Sequence, residues 1–204
     1  MIRLGLTGSI GMGKSATAQM FREVGAAVYD ADAAVHSIYQ PGGSAVDPVS
    51  AAFEGVLDTE GGIDRDALRS RVLGDSAAIS RLESIVHPLV GLTQLEFLQS
   101  HMDKGAAYVV LDVPLLFETG GDTRCDYVAV VSAPAAVQRE RVLARGEMDD
   151  TQFEAIVAKQ VPDSDKRAKA DFVISSAFGF EFARAHVHAI AHLMNRLAGE
   201  ASND

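Results

Sequence analysis

Five short apolar runs punctuate the chain, and their hydrophobicity is continuous rather than alternating. They lie near residues 2–7 (IRLGLT), 26–30 (AAVYD), 107–113 (AYVVLDV), 126–132 (DYVAVVS) and 171–175 (DFVIS). Such runs predict strands covered on both faces, as in a parallel sheet. Between them the period changes to that of a helix. Residues 14–24 carry Ala18, Phe21 and Val24 on one stripe and stop at Gly25, a favourable residue just past a helix end. Residues 150–160 repeat the pattern with Phe153, Ile156, Val157 and Gln160. Residues 180–198 set Phe182, His186, Ala189, Ile190, Leu193 and Leu197 on one face ahead of Gly199. Strands alternating with helices predict an α/β sheet.

Residues 33–104 break this rhythm. No strand pattern appears there, only helix punctuation: Asp47-Pro48 as cap and first turn, Asp64 ahead of Leu68 and Val72, and Gly74-Asp75 ahead of Ile79, Leu82, Ile85 and Val86. The expectation is a core formed by 1–32 and 105–204, with a helical insert over 33–104. Inserts above the carboxyl edge of such a sheet commonly shape a substrate site.

Composition narrows the function. The chain has 204 residues, 48% hydrophobic and 23% charged, with a net charge of -10. Such an acidic balance argues against a non-specific nucleic-acid binder, which needs clustered Lys and Arg. Any phosphate chemistry must then sit in a local basic pocket. The single cysteine, Cys125, cannot form an internal disulfide and reads as a small buried filler. The N-terminal apolar run is too short for a signal peptide, and no run approaches membrane-spanning length. A soluble, cytoplasmic protein is expected, without membrane or nucleic-acid partners, as a monomer or weak homo-oligomer.

The most specific motif is Gly8-Ser9-Ile10-Gly11-Met12-Gly13-Lys14-Ser15, which fits G-x-x-x-x-G-K-[ST] in full, after an apolar strand and before an amphipathic helix. The glycines let backbone N–H groups turn inward, and with the helix N-terminus they form an anion cradle. Lys14 supplies a mobile positive charge for the β- and γ-phosphates, and Ser15 a hydroxyl for Mg²⁺. Asp112 ends the third apolar run, where a carboxylate would hold the same metal or merely end a strand. The asparagines are Asn195 and Asn203, and neither precedes lysine, so the base-reading motif of a GTPase is absent. Asp58-Thr59-Glu60-Gly61 reads as a turn. His188 and His192, four apart, read as helix surface.

Taken in order, several segments resemble the dephospho-CoA kinase family. They are the opening Gly5–Ser15, then Asp30-Ala31-Asp32, Val86-His87-Pro88-Leu89 and Val113-Pro114-Leu115-Leu116-Phe117-Glu118. Next comes Gln138-Arg139-Glu140-Arg141 with Arg145, and last Gln160-Val161-Pro162 through Lys166-Arg167 to Ala170-Asp171-Phe172-Val173-Ile174. The glycine loop is generic; the combination with the other segments is specific. The resemblance implies a three-layer, five-stranded parallel sheet of the P-loop nucleoside-monophosphate-kinase type, with the helical insert and a lid over about 138–165. It implies transfer of the ATP γ-phosphoryl group to the 3′-hydroxyl of dephospho-CoA, with ATP and Mg²⁺ required.

Roles follow residue by residue from that resemblance. Asp32 becomes the base or orienter of the attacking hydroxyl, or the N-cap of a helix over Ala33–Tyr39, or both. Asp30 takes a secondary role. Lys14 and Arg141 stabilise transferring charge, and Arg145 closes with Arg141 over the triphosphate. Gly8, Gly11, Met12, Gly13, Lys14, Ser15 and Ala16 contact the nucleotide, and Ser15 and Asp112 serve the metal. His87, Pro88, Leu115, Leu116 and Glu118 fall on the acceptor side; His87 beside a helix-breaking proline also reads as packing. Lys166 and Arg167 add charge or cap helix ends. Three departures from the family stand out. Ser9 and Met12 replace a common Gly and Ser, with little expected effect on a loop that binds through backbone. Ala16 lacks a frequent hydroxyl, which predicts ATP binding weaker by about 1 kcal/mol. Ser175-Ser176 replaces a common Asp-Asn near the expected adenine site. Two rivals remain: another P-loop small-molecule or nucleotide kinase, and a regulator that binds ATP without transferring phosphate.

Overall fold

The five apolar runs become strands β1 (Ile2–Thr7), β2 (Ala27–Asp30), β3 (Tyr108–Asp112), β4 (Tyr127–Ser132) and β5 (Phe172–Ser175) in a computed structural model that describes residues 1–201. The helices are α1 (Lys14–Glu23), α2 (Ala31–Tyr39), α3 (Val46–Ala52), α4 (Arg65–Val72), α5 (Ser76–Asp103), α6 (Ala135–Leu143), α7 (Asp150–Val157), α8 (Asp163–Lys169) and α9 (Phe180–Ala201). The strand order is β2-β3-β1-β4-β5. β1 pairs in parallel with both β3 and β4, and β4 with β5. The expected five-stranded parallel α/β sheet with helices on both sides is what the chain forms.

The chain divides into two compact units, Met1–Tyr29 with His101–Asp204, and Asp30–Ser100. In the first, side-chain alternation along the strands feeds two cores. Leu4, Leu6, Val110, Ala129 and Val131 lie in one cluster with Phe21 of α1 and Val187 and Met194 of α9. Val128 and Val130, one residue out of step, lie in another with Leu116, beside the half-buried Cys125. Each fully buried aliphatic side chain contributes roughly 1.5–3 kcal/mol, so these central strands anchor the segments that leave their carboxyl ends. Burial pushes the Cys125 thiol up to about 11, which makes it an inert filler, as expected.

Gly8, directly after β1, is tightly enclosed. A Cβ there would stand 2.7 Å from the carbonyl oxygen of Val131, which belongs to the backbone of β4 and cannot rotate away. Gly8→Ala is therefore expected to destabilise the protein by about 2 kcal/mol, as other overpacked sites do. Thermal unfolding measures this, and an unchanged melting temperature would show that β4 yields.

Several helices differ from their sequence pattern. The buried stripe of α9 is Ala183, Val187, Ile190, Ala191 and Met194, with Leu193 and Leu197 packed against it; Ile190, Leu193 and Leu197 thus face the core as expected, whereas Phe182 stays exposed and stacks edge-on with Phe178 and His186. The apolar face of α9 is wide, and the core takes up Met194 and Ile190 but leaves Phe182 outside. The helix also runs through Gly199. α7 stops at Val157, capped at its start by a reciprocal Asp149–Gln152 box, so Gln160 lies beyond it rather than on its face.

The second unit has its own core around Ile38, Tyr39, Val49, Phe53, Val56 and Val86. Asp64 caps α4, accepting from the Asp66 and Ala67 amides, and Asp75 does the same for Ala77 and Ala78 at the start of α5. Asp47 is not a cap: α3 starts one residue earlier, and Pro48 sits inside its first turn, where a missing N–H is harmless. Asp58 closes a turn by accepting from Glu60 and Gly62. Pro88 does not break the helix. It lies inside the 28-residue α5, whose apolar contacts with the unit's core outweigh one lost backbone bond.

Candidate active site

The loop between β1 and α1 owes its shape to two glycines with positive φ, Gly11 at 75° and Gly13 at 92°, a region other residues enter at a cost. Gly13 is also the N-cap of α1 and offers no side-chain cap, so the first amides of that helix are left for a ligand. Lys14 opens α1. Its Nζ lies 2.6 Å from Oδ1 of Asp112, a side chain only 3% exposed at the end of β3. The parallel register aligns Leu6 with Asp112, which carries the carboxylate to the base of the loop. Ser15 is exposed; Thr17 is buried and donates to the Gly13 carbonyl. Asp112 and Ser15 are hard oxygen donors suited to Mg²⁺.

Beside the loop lies a cleft of 460 Å³, lined among others by Gly13, Ala16, Arg141, Arg145, Ser176 and Phe180. Both predicted lid arginines therefore reach the loop, although α6 ends at Leu143 and Arg145 stands just past it. Arg141 donates from Nη1 to Ser176 Oγ at 2.8 Å and from Nη2 to the Ser176 carbonyl at 2.7 Å. Ser176 Oγ in turn donates to the carbonyl of Met12 at 2.8 Å. The serine that departs from the family pattern is thus the link between guanidinium and glycine loop. Met12 is not neutral either: it is buried, and its thioether sulfur accepts the Ala133 N–H at 3.1 Å. A larger cavity of 550 Å³, lined partly by Met12, Ala133, Asp163 and Phe178, contains neither lid arginine nor Lys14.

The other predicted residues have the following surroundings. Arg139 is taken up by Asp150 and Glu154 and ties α6 to α7. Leu116 is 2% exposed and faces the core, whereas Leu115 is 44% exposed. Glu118 accepts the Val161 N–H at 2.9 Å and pairs at 2.8 Å with Lys166, which is wholly buried. Burial by itself would raise the Glu118 carboxyl, but Lys166, the Val161 amide and its own backbone N–H hold it below the usual range. In the second unit, Asp32 is exposed in the first turn of α2, and His87 and Pro88 are exposed on α5. The cap of α2 is Asp30, whose Oδ1 accepts from Ala33 at 2.9 Å, not Asp32. His188 and His192 are exposed, and the described residues contain no cluster of metal-ligating side chains.

Sequence reasoning missed the contacts of Gln138 and Gln160. Gln138 Nε2 donates to the carbonyl of Ile10 at 2.7 Å, and Gln160 Oε1 accepts from the amide of Ile10 at 3.2 Å. Nothing in a sequence pattern pairs residues separated by more than a hundred positions.

A glycine loop on the central parallel strand, a lysine–carboxylate pair at its base and two arginines across an adjoining cleft define a P-loop kinase. The model of the dephospho-CoA kinase family matches residues 2–179. Dephospho-CoA kinases of Mesorhizobium japonicum and Bradyrhizobium diazoefficiens are 56% and 53% identical to this chain, over 93% and 94% of it and 95% and 93% of their own lengths. The crystal structure of TT1252 from Thermus thermophilus superimposes with a TM-score of 0.82 at 30% identity, covering 96% of this chain and 97% of that one. Dephospho-CoA kinase from Campylobacter jejuni shares the fold, with a TM-score of 0.67 at 23% identity over 95% and 97%. The chain belongs to the dephospho-CoA kinase family and is an ATP-dependent kinase.

Proposed function

We propose that the chain moves the γ-phosphoryl group of ATP to the 3′-hydroxyl of dephospho-CoA, releasing CoA and ADP. The observation that supports this chemistry best is the 2.6 Å contact of Lys14 with Asp112 under the glycine loop. It keeps a mobile cation and a buried carboxylate together until a triphosphate separates their tasks. Backbone amides of Gly11, Gly13 and Lys14 receive the phosphate oxygens, with Gly8, Met12 and Ala16 shaping the loop and the start of its helix. Ser15 and Asp112 would hold Mg²⁺, which supplies charge neutralisation on the phosphate oxygens.

Asp32 accepts the proton of the attacking hydroxyl as its oxygen bonds to the γ-phosphorus. The bond from that phosphorus to the β–γ bridging oxygen breaks, and ADP leaves with the electron pair. Phosphoryl transfer of this kind depends on positioning and electrostatics more than covalent help. Lys14 and Arg141 meet the charge on the transferring group, and Arg145 covers the nucleotide. Ser176 takes one N–H from each Nη of Arg141 and so orients the guanidinium, whose remaining N–H groups suit phosphate oxygens. His87, Pro88 and the exposed Leu115 serve the acceptor side. Leu116 and Glu118 act indirectly, one by packing and the other by bracing Val161 and Lys166.

Among the described residues no helix is long and apolar enough to cross a membrane. The acidic net charge favours a small-molecule acceptor over non-specific nucleic-acid binding, and we read the protein as a cytoplasmic enzyme, monomeric or weakly associated. The deciding experiment follows ADP release with and without dephospho-CoA. Release that depends on dephospho-CoA and Mg²⁺ is expected. Release that responds instead to a nucleotide or to a sugar-like alcohol would replace the acceptor named here.

A further inference from the structure

Ile10 is the one residue of the glycine loop gripped on both its backbone polar groups by side chains of the lid segment. Gln138, in α6, donates to its carbonyl at 2.7 Å; Gln160, three residues past α7, accepts from its amide at 3.2 Å. Gln138 is only 5% exposed, a position where an amide is kept only if its hydrogen bonds are made. The contact is also close in space. A Cβ on Gly11 would lie 3.0 Å from the Gln138 carbonyl and 2.5 Å from Val142 Cγ2, so the loop lies directly against α6 at this point.

The geometry points to Gln138 and Gln160 as positioning residues for phosphate binding. In a trans peptide the C=O and the next N–H point in opposite directions. Fixing the Ile10 carbonyl toward Gln138 fixes the Gly11 N–H on the side away from α6. Gly11 has no Cβ and a φ of 75°, so little else in the residue resists rotation of that peptide. Gln160 adds the second point needed to hold Ile10 by both ends. The two glutamines come from the segment that also carries Arg141 and Arg145. The phosphate amide and the lid arginines are therefore set by one body, and displacing α6 withdraws both together. This inference rests on the loop binding polyphosphate, and not on which acceptor is used.

The test uses the full chain with Gln138→Met, which keeps volume and removes the donor, and Gln160→Met. Affinities for ATP, inorganic tripolyphosphate and adenosine are measured by calorimetry, beside the KM for dephospho-CoA. Gln138→Met is expected to weaken ATP and tripolyphosphate about tenfold, the loss of one hydrogen bond at a buried site. Gln160→Met should lose about threefold, its bond being longer and less buried. Adenosine affinity and the KM for dephospho-CoA should stay unchanged in both. Equal losses for adenosine and tripolyphosphate would reduce the glutamines to general packing, and no loss in either variant would overturn the inference. Should Gln138→Met not fold, Gln160→Met decides alone. A wild-type chain inert toward dephospho-CoA would sink the proposed acceptor while leaving this test intact.

Discussion

Asp32→Asn is expected to lower turnover by about 10²–10⁴-fold, the usual contribution of a positioned proton acceptor, while ATP affinity and melting temperature stay near those of the wild type. An amide of the same shape still accepts a hydrogen bond but cannot take the proton. The local structure makes this a clean substitution. The capping duty at the start of α2 falls to Asp30, and Asp32 is exposed within the first turn. No helix cap is lost, so a fall in turnover cannot be ascribed to unfolding. Steady-state rates beside ATP titration measure the effect. Near-normal turnover would remove Asp32 from the proton transfer and leave it as an acid favourably placed at a helix N-terminus.

Lys166→Met is expected to cost stability rather than chemistry. Its ammonium is wholly buried 2.8 Å from Glu118 Oε1; beyond this ion pair Lys166 Nζ has no partner, and Glu118 Oε2 accepts no hydrogen bond. Breaking a buried pair from one side typically costs 3–5 kcal/mol. Glu118 keeps 13% side-chain exposure and its bond from Val161, which places the loss at about 3 kcal/mol. For a chain of this size that lowers the melting temperature by roughly 10 °C. The sign of its pH dependence follows from Glu118. Its carboxyl is held below the ordinary value in the folded state, so its contribution is complete at neutral pH and fades only as pH falls through that lowered range. In Lys166→Met, burial is no longer opposed by the ammonium, and protonation relieves the stranded carboxylate. The deficit should therefore be full at pH 7 and shrink on acidification. Adding Glu118→Gln to Lys166→Met should recover part of the loss. If the single variants sum to the double, the pair is not coupled.

The glycine loop, its strand and its helix are legible in the sequence because their determinants are local. Gly11 and Gly13 provide φ values that few other residues adopt, Lys14-Ser15 opens an amphipathic helix, and each strand is one apolar run. The caps at Asp64 and Asp75 are legible for the same reason, since cap and capped amide lie two or three residues apart. Where two local solutions compete, pattern fails. By sequence either Asp30 or Asp32 could cap the helix that follows β2, and only the folded chain, with α2 starting at Ala31, selects Asp30. Pro88 looks like a helix breaker, yet the apolar stripe of α5 carries the helix through it. α9 has a wide apolar face, and only its packing leaves Phe182 outside the core.

What the sequence determined by itself is the chemistry available: a phosphate loop, a terminal strand carboxylate, arginines four apart and an acid after the second strand. Only the tertiary structure decided which partner each group meets. Ser176 connects Arg141 to Met12, Gln138 and Gln160 hold Ile10, and Glu118 pairs with Lys166. The physical reason is range. Backbone dihedrals and helix caps are set within a few residues, whereas a hydrogen bond or ion pair between distant segments exists only after the apolar faces have packed and brought them within 3 Å or so.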